Sequence, residues 1–165
     1  MTSRLSLPAL LAAAEEVRVS GAAHDPWLSR LQLVGIGWAT VELERAADEL
    51  LGAFTAAAVP KPDWQPAPRE ALLGASAWVT PADGTRPAIV LLEPDTEGRL
   101  SATLARFGEG VAAVYLQRTG DQATDSARLG RPSPGPLGTS RIVLAGPTWG
   151  PHVIVIDHAL PNVPR

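Results

Sequence analysis

The 165-residue sequence has no cysteine. That excludes disulfides, thiolate metal sites and thiol nucleophiles, and it fits a chain made for the reducing cytoplasm. It also lacks runs of like charge: 14 basic and 17 acidic residues are interspersed for a net charge of −3, so no phosphate-tracking surface is expected and nucleic acid is not an expected partner. No apolar run approaches a membrane span. The opening "MTSRLSLPALLAAAEEVRVSG" has one arginine and a short apolar stretch closed by Glu15 and Glu16, which reads as an amphipathic helix rather than a leader or a membrane anchor. Phosphate-binding loops, zinc-binding His pairs and nucleophile elbows are missing too, and "GIGW" lacks the third glycine of a dinucleotide loop. Aromatics are few, one Tyr and two Phe, apart from five Trp. Abundant Ala, Gly, Pro and Arg beside a single Lys suggest a GC-rich bacterial source.

What is present is a clear rhythm of elements. Leu7, Leu10, Leu11, Ala14 and Val17 recur at helical spacing, Ser6 can cap their start, Pro8 is tolerated in the first turn, and Ser20-Gly21 ends the pattern. After the connector "GAAHDPWLSR", residues 31–41 have the branched, alternating character of a strand. Leu43, Ala46, Ala47, Leu50, Leu51 and Phe54 then form the apolar stripe of a helix that must lie on a sheet. "VPKPDWQPAPRE" reads as a proline-rich loop. "LLGASAWVT" and "PAIVLLEP" read as strands joined by a turn with an Asp-Gly pair. The second half repeats strand, short helix and hairpin. Leu100, Leu104 and Phe107 mark one face of a helix stopped by Gly108, "GVAAVYLQ" is a strand, residues 118–130 have room for only a brief helix, and "TSRIVLAG" and "PHVIVIDH" follow. The expected fold class is α+β. Residues 1–29 form a helix and connector, 30–158 a single domain of two similar halves (30–94 and 108–158), and 159–165 a tail.

Two stretches carry a resemblance. "LVGIGWATVELERAADELL" resembles the opening strand and helix of the vicinal oxygen chelate superfamily, the glyoxalase and bleomycin-resistance-like proteins. "IVLLEPDTEGRLSATLARFGEGVAAVYL" is similar to the branch containing methylmalonyl-CoA epimerase, and "GPHVIVI" to the last strand of the same fold. The resemblance implies paired βαβββ modules forming a cupped mixed sheet, with an extra N-terminal helix, and a divalent metal held on the concave face by His, Glu or Gln. It puts those ligand positions at Leu33, Val90, Ala113 and near Val155, give or take one residue. None of these side chains can bind a metal, so no metal and no other cofactor is expected, and epimerase, glyoxalase and extradiol chemistry through a metal is not expected either.

Alternation then selects the residues sharing the concave face. Leu33, Gly35, Val90, Leu92, Ala113 and Gln117 are candidate ligand-binding positions, with Val155 if the last strand has that register and Trp149 at the mouth. Tyr115 and His152 are the candidate catalytic residues, a hydrogen-bond donor and a general base. Two registers of the last strand stay open: Val153, Val155 and Asp157 inward, or His152, Ile154, Ile156 and His158. A plain role competes for each candidate, core packing for Tyr115, exposure to water for Gln117 and a surface position on an edge strand for His152, and Glu93, which alternation puts opposite Val90, is read as structural. The expectation is a metal-independent protein that binds a hydrophobic small molecule in an apolar cup, as an isomerase, cyclase or lyase. The alternatives are a drug- or metabolite-sequestering protein without catalysis and a module whose cup is simply filled. Oligomeric state is left open, a homodimer being one arrangement such modules adopt.

Overall fold

A computed structural model describes residues 5–81, 83–118 and 128–159. Three α-helices, α1 (Leu7–His24), α2 (Leu43–Ala56) and α3 (Arg99–Phe107), accompany seven strands: β1 (Leu31–Ala39), β2 (Gln65–Glu70), β3 (Ala75–Val79), β4 (Ala88–Pro94), β5 (Gly110–Arg118), β6 (Gly138–Ile142) and β7 (His152–Ala159). All seven strands belong to one curled, mixed sheet in the order β2-β3-β4-β1-β5-β7-β6. The expected α+β class, with its N-terminal helix, is what is found.

The strand order explains why the sequence reads as two similar halves. At the centre β1 and β5 pair antiparallel, Gly35 opposite Tyr115 and Gly37 opposite Ala113. On one side β4 joins β1 in parallel, and on the other β7 joins β5 in parallel. Next outward, β3 and β6 are each antiparallel to those neighbours. The two halves thus meet through an approximate twofold relation.

Each face of the sheet has its own core. The convex face is covered by α1 and α2, whose Leu10, Ala14, Leu50 and Phe54 pack with Ile36, Leu91, Val114 and Val155. The α1 start is as expected, Ser6 Oγ accepting from the Ala9 N–H at 3.3 Å, but the helix runs past Gly21 to His24. Glycine there gives no conformational break; it allows close approach, since a Cβ at residue 21 would stand 3.1 Å from Val153 Cγ2. At the other helix, two carboxylates from distant strands hold the start. Glu93 on β4 accepts from the Leu43 N–H at 2.9 Å, and Glu109 accepts from the Val41 N–H at 2.9 Å and the Thr40 hydroxyl at 2.7 Å. These satisfy amides that α2 itself leaves open and place negative charge where the helix dipole favours it. Glu93 therefore has the structural role expected of it.

Two expectations need correction. Residues 65–70 are a strand, not a loop: β2 lies at the edge of the sheet and pairs only with β3, so Pro66 and Pro68 forfeit no ladder hydrogen bond. Phe107 does not join the inner face of α3 but is 59% exposed, beside the Arg106 guanidinium. The brief helix expected within residues 118–130 lies largely outside the described residues, as does most of the tail.

Glycines 52 and 108 should respond oppositely to alanine. Gly52 lies inside α2 with nothing within 4 Å of an added Cβ, so Gly52→Ala should raise stability by about 0.5–1 kcal/mol. Gly108 ends α3 at φ 74 and ψ −167, a conformation that costs an L-residue about 1–3 kcal/mol, so Gly108→Ala should lower it. Urea unfolding of the two variants measures both signs.

Candidate functional site

The concave face is built from alternate residues of the central strands, and the ladder fixes which. Val90, Gly37, Ala113 and His152 are successive partners across β4, β1, β5 and β7, and Ala88, Gly35, Tyr115 and Ile154 form the next row. Gln117 extends that face, paired with Ile156. The last strand thus takes the register with His152, Ile154 and Ile156 inward; Val155 packs with the convex core, and Asp157 is salt-bridged to Arg141 at 2.6 Å.

Leu33 is also displaced from the expected face. Simple alternation puts it with Gly35, but the β1–β5 register shifts between these residues, so Val34 packs with the concave core while Leu33 packs with the convex one. A bulge places two consecutive residues on one side, and a two-residue period cannot register that. Of the expected lining positions, Gly35, Val90, Leu92, Ala113 and Gln117 lie on the concave rows, and Leu33 and Val155 do not.

The middle of the cup is filled. Leu73, Val90, Leu92, Leu100, Ala113 and Ile154 have no exposed surface. Leu137, from the segment before β6, sits over the gap left by Gly35, its Cδ1 only 2.5 Å from where a Cβ would be. Within this apolar packing Tyr115 donates its hydroxyl to Glu70 Oε2 at 2.8 Å, and Glu70 Oε1 accepts from the Leu72 N–H at 3.1 Å. Burial pushes the Glu70 carboxyl above the ordinary carboxylate range, against the lowering effect of these hydrogen bonds and of Arg69. Burial, reinforced by the Glu70 charge, drives the Tyr115 phenol well above its usual value, so it remains a donor.

Toward the His152 end the packing opens into a cavity of about 450 Å³ bordered by Arg99, Ala102, Ile142, Trp149 and His152. His152 is 4% exposed, yet its Nε2 has no hydrogen-bond partner. Gly150, at φ 86, leaves the edge of the ring uncovered: a Cβ there would lie 3.2 Å from Nε2. Burial, aided by the Arg99 charge, pulls the imidazole from 6.5 down to about 4, so it is neutral at pH 7. Thr103 ties the mouth to α3 by donating to the Trp149 carbonyl at 2.8 Å, and the Arg106 guanidinium lies 5.8 Å from the exposed Trp149 ring. Thus His152 and Trp149 share a cavity, whereas Tyr115 belongs to a separate buried pair. Sequence reasoning missed Glu70 and Arg99. Glu70 was hidden by the proline-rich reading of β2, and Arg99 looks like any solvated residue in a first helical turn.

The side chains on the central rows do not fit a divalent ion. Gly35, Gly37, Val90, Ala113 and Ile154 offer no donor, the Tyr115 hydroxyl is engaged by Glu70, and the His152 Nε2 is a single nitrogen without further ligands beside it on these rows. Among the described residues no group of three His, Cys, Asp or Glu side chains could hold one.

Two measurements follow. Between pH 6.5 and 4 the unfolded chain takes up a proton at residue 152 that the native state refuses, so the native state should lose stability as pH falls through this window, by about 3 kcal/mol in all. In His152→Gln that part of the pH dependence should vanish from denaturant unfolding curves. Tyr115→Phe leaves the Glu70 carboxyl short of a donor and should cost about 1–3 kcal/mol at pH 7. That cost should shrink at acid pH, where Glu70 is protonated.

No family model and no curated protein matches the sequence. Solved structures do match the fold. A point variant of Streptomyces coelicolor methylmalonyl-CoA epimerase in complex with 2-nitronate-propionyl-CoA superimposes with a TM-score of 0.55 at 17% identity, over 77% of this chain and 98% of that one. The epimerase from Mycobacterium tuberculosis gives 0.57 at 14% identity, over 76% and 88%. A mutant of 4-hydroxymandelate synthase from Streptomyces coelicolor gives 0.51 at 13%, over 76% of this chain and 48% of that one. With its palindromic strand order and curled sheet, the chain has the fold of the vicinal oxygen chelate superfamily, the fold of these epimerases and of that synthase.

Proposed function

We propose that this protein is a metal-independent enzyme of the vicinal oxygen chelate fold, which moves a proton on a small organic anion held beside His152. The observation that carries the reading is the imidazole itself: a buried, neutral base with Nε2 unpartnered, at the border of a cavity. With Nδ1 protonated, Nε2 can accept a proton from a carbon next to a carbonyl. The imidazolium so formed balances the enolate charge, and return of the proton from Nε2 to another position on the same face completes an isomerisation. Arg99 supports an anionic substrate, because it borders the same cavity and makes no ion pair among the described residues. As the charge acting on His152 it also keeps the resting base neutral. The apolar central rows support metal independence, since no step in this scheme needs a Lewis acid there. Some of the structural neighbours were solved with CoA derivatives, methylmalonyl-CoA among them, which suggests where a substrate search should begin.

The test is isotope exchange. The protein is incubated in D₂O with methylmalonyl-CoA and a panel of small 2-substituted carboxylates, and loss of the α-proton is followed by NMR, with and without EDTA. The expected result is exchange on at least one compound that EDTA does not affect and that His152→Gln slows by about 10²–10⁴-fold while melting normally. Exchange abolished by EDTA and restored by a divalent ion would overturn metal independence. Saturable binding of the panel without exchange would make the protein a sequestering one.

A further inference from the structure

On the convex side, a cavity of about 670 Å³ lies between α1 and the loop that leads into β7. The α1 residues bordering it are Ala13, Glu16, Val17, Ser20, Gly21 and His24, spaced i, i+3, i+4, i+7, i+8 and i+11, a single stripe of the helix. Facing that stripe are Val111, Val143 and Val153, with Pro147 and Pro151 from the loop and Leu28 from the turn after α1. The walls are therefore apolar, and Leu28, Val143 and Val153 are themselves part of the buried core.

Four polar side chains border this cavity: Glu16, Ser20, His24 and Asp25. Two of them, Glu16 and Asp25, are carboxylates, and among the described residues no lysine or arginine borders it. Neighbouring Glu15 has its carboxylate bound by Arg18 at 2.9 Å, whereas the Glu16 and Asp25 side chains make no hydrogen bond or ion pair among the described residues. His24 donates from Nδ1 to the Ser20 carbonyl at 2.9 Å, so that in the neutral ring Nε2 is the acceptor. Two carboxylates and an imidazole border the space with no lysine or arginine beside them among the described residues, next to walls of valine and proline.

We propose that this cavity binds a small amphiphilic cation, its aliphatic or aryl body against the valines and its protonated amine donating to Glu16, Asp25 and His24. An anion would meet uncompensated carboxylates. A neutral hydrocarbon would use the walls and leave the acceptors idle. The site is distinct from the concave face, and the proposal does not depend on the chemistry assigned to His152.

Octylammonium, octanol and octanoate serve as probes of matched length, titrated calorimetrically into the full chain at low salt. Octylammonium is expected to bind about tenfold more tightly than octanol, and octanoate not to saturate. In the Glu16→Gln/Asp25→Asn double variant the amine and the alcohol should converge, while Val17→Trp, which fills the cavity from α1, should abolish binding of both. Should Val17→Trp fail to melt cooperatively, Ala145→Trp on the exposed facing loop makes the same test. Equal binding of amine and alcohol to the unaltered protein would overturn the cation class. Binding unchanged in a folded tryptophan variant would overturn the site.

Discussion

The close antiparallel contact of β1 with β5 is the constraint on which the rest of the architecture depends. Gly37 faces Ala113 so closely that a Cβ on the glycine would stand 3.0 Å from the alanine Cβ and equally near Leu92 Cδ1. At Gly35 the same test meets Tyr115 at 3.2 Å. Small residues keep the floor of the curled sheet low, and the space above is taken by larger groups from both ends of the sheet: Leu73, Leu100, Leu137 and the Tyr115–Glu70 pair. A side chain at Gly35 would have to displace Leu137 or Tyr115, and one at Gly37 would have to displace Leu92 or Ala113. In close-packed interiors that adjustment spreads to neighbouring elements.

That packing separates two kinds of polar group on one face. Glu70 and Tyr115 satisfy each other in a sealed setting, where a lost partner would leave a costly unpaired acceptor. His152 is as deeply buried but lacks such a partner at Nε2. Buried polar atoms are overwhelmingly paired, so an exception that borders a cavity points toward a bound molecule. The contrast puts the mutually satisfied pair at one end of the cup and the proposed base at the other.

Most of the fold was legible in the sequence because its signals are local. The α2 stripe, the Asp83-Gly84 turn and the Gly108 stop each need only a few adjacent residues to be read. What was illegible depends on position in the sheet. Pro66 and Pro68 argue against a strand until β2 is known to be an edge. Gly21 looks like a helix end until Val153 is found against it. The bulge that turns Leu33 away from Gly35, and the choice between His152 and Val155 as the inward residue, are properties of pairing with β5 that neither strand's own sequence contains. At the candidate site, His152 and Trp149 were visible as residue types. Arg99 and Glu70 acquire meaning only through neighbours distant in the chain.

The loop between β6 and β7 contributes Val143, Gly146 and Pro147 to the walls of both cavities, one on each side of the sheet. A wall shared in this way is a thermodynamic link. Any ligand that favours one position of the loop changes the affinity of the opposite cavity, and reciprocity requires the effect to be equal in both directions. Two ligands that favoured the same position of this backbone would therefore help each other across the sheet, and two that favoured different positions would compete.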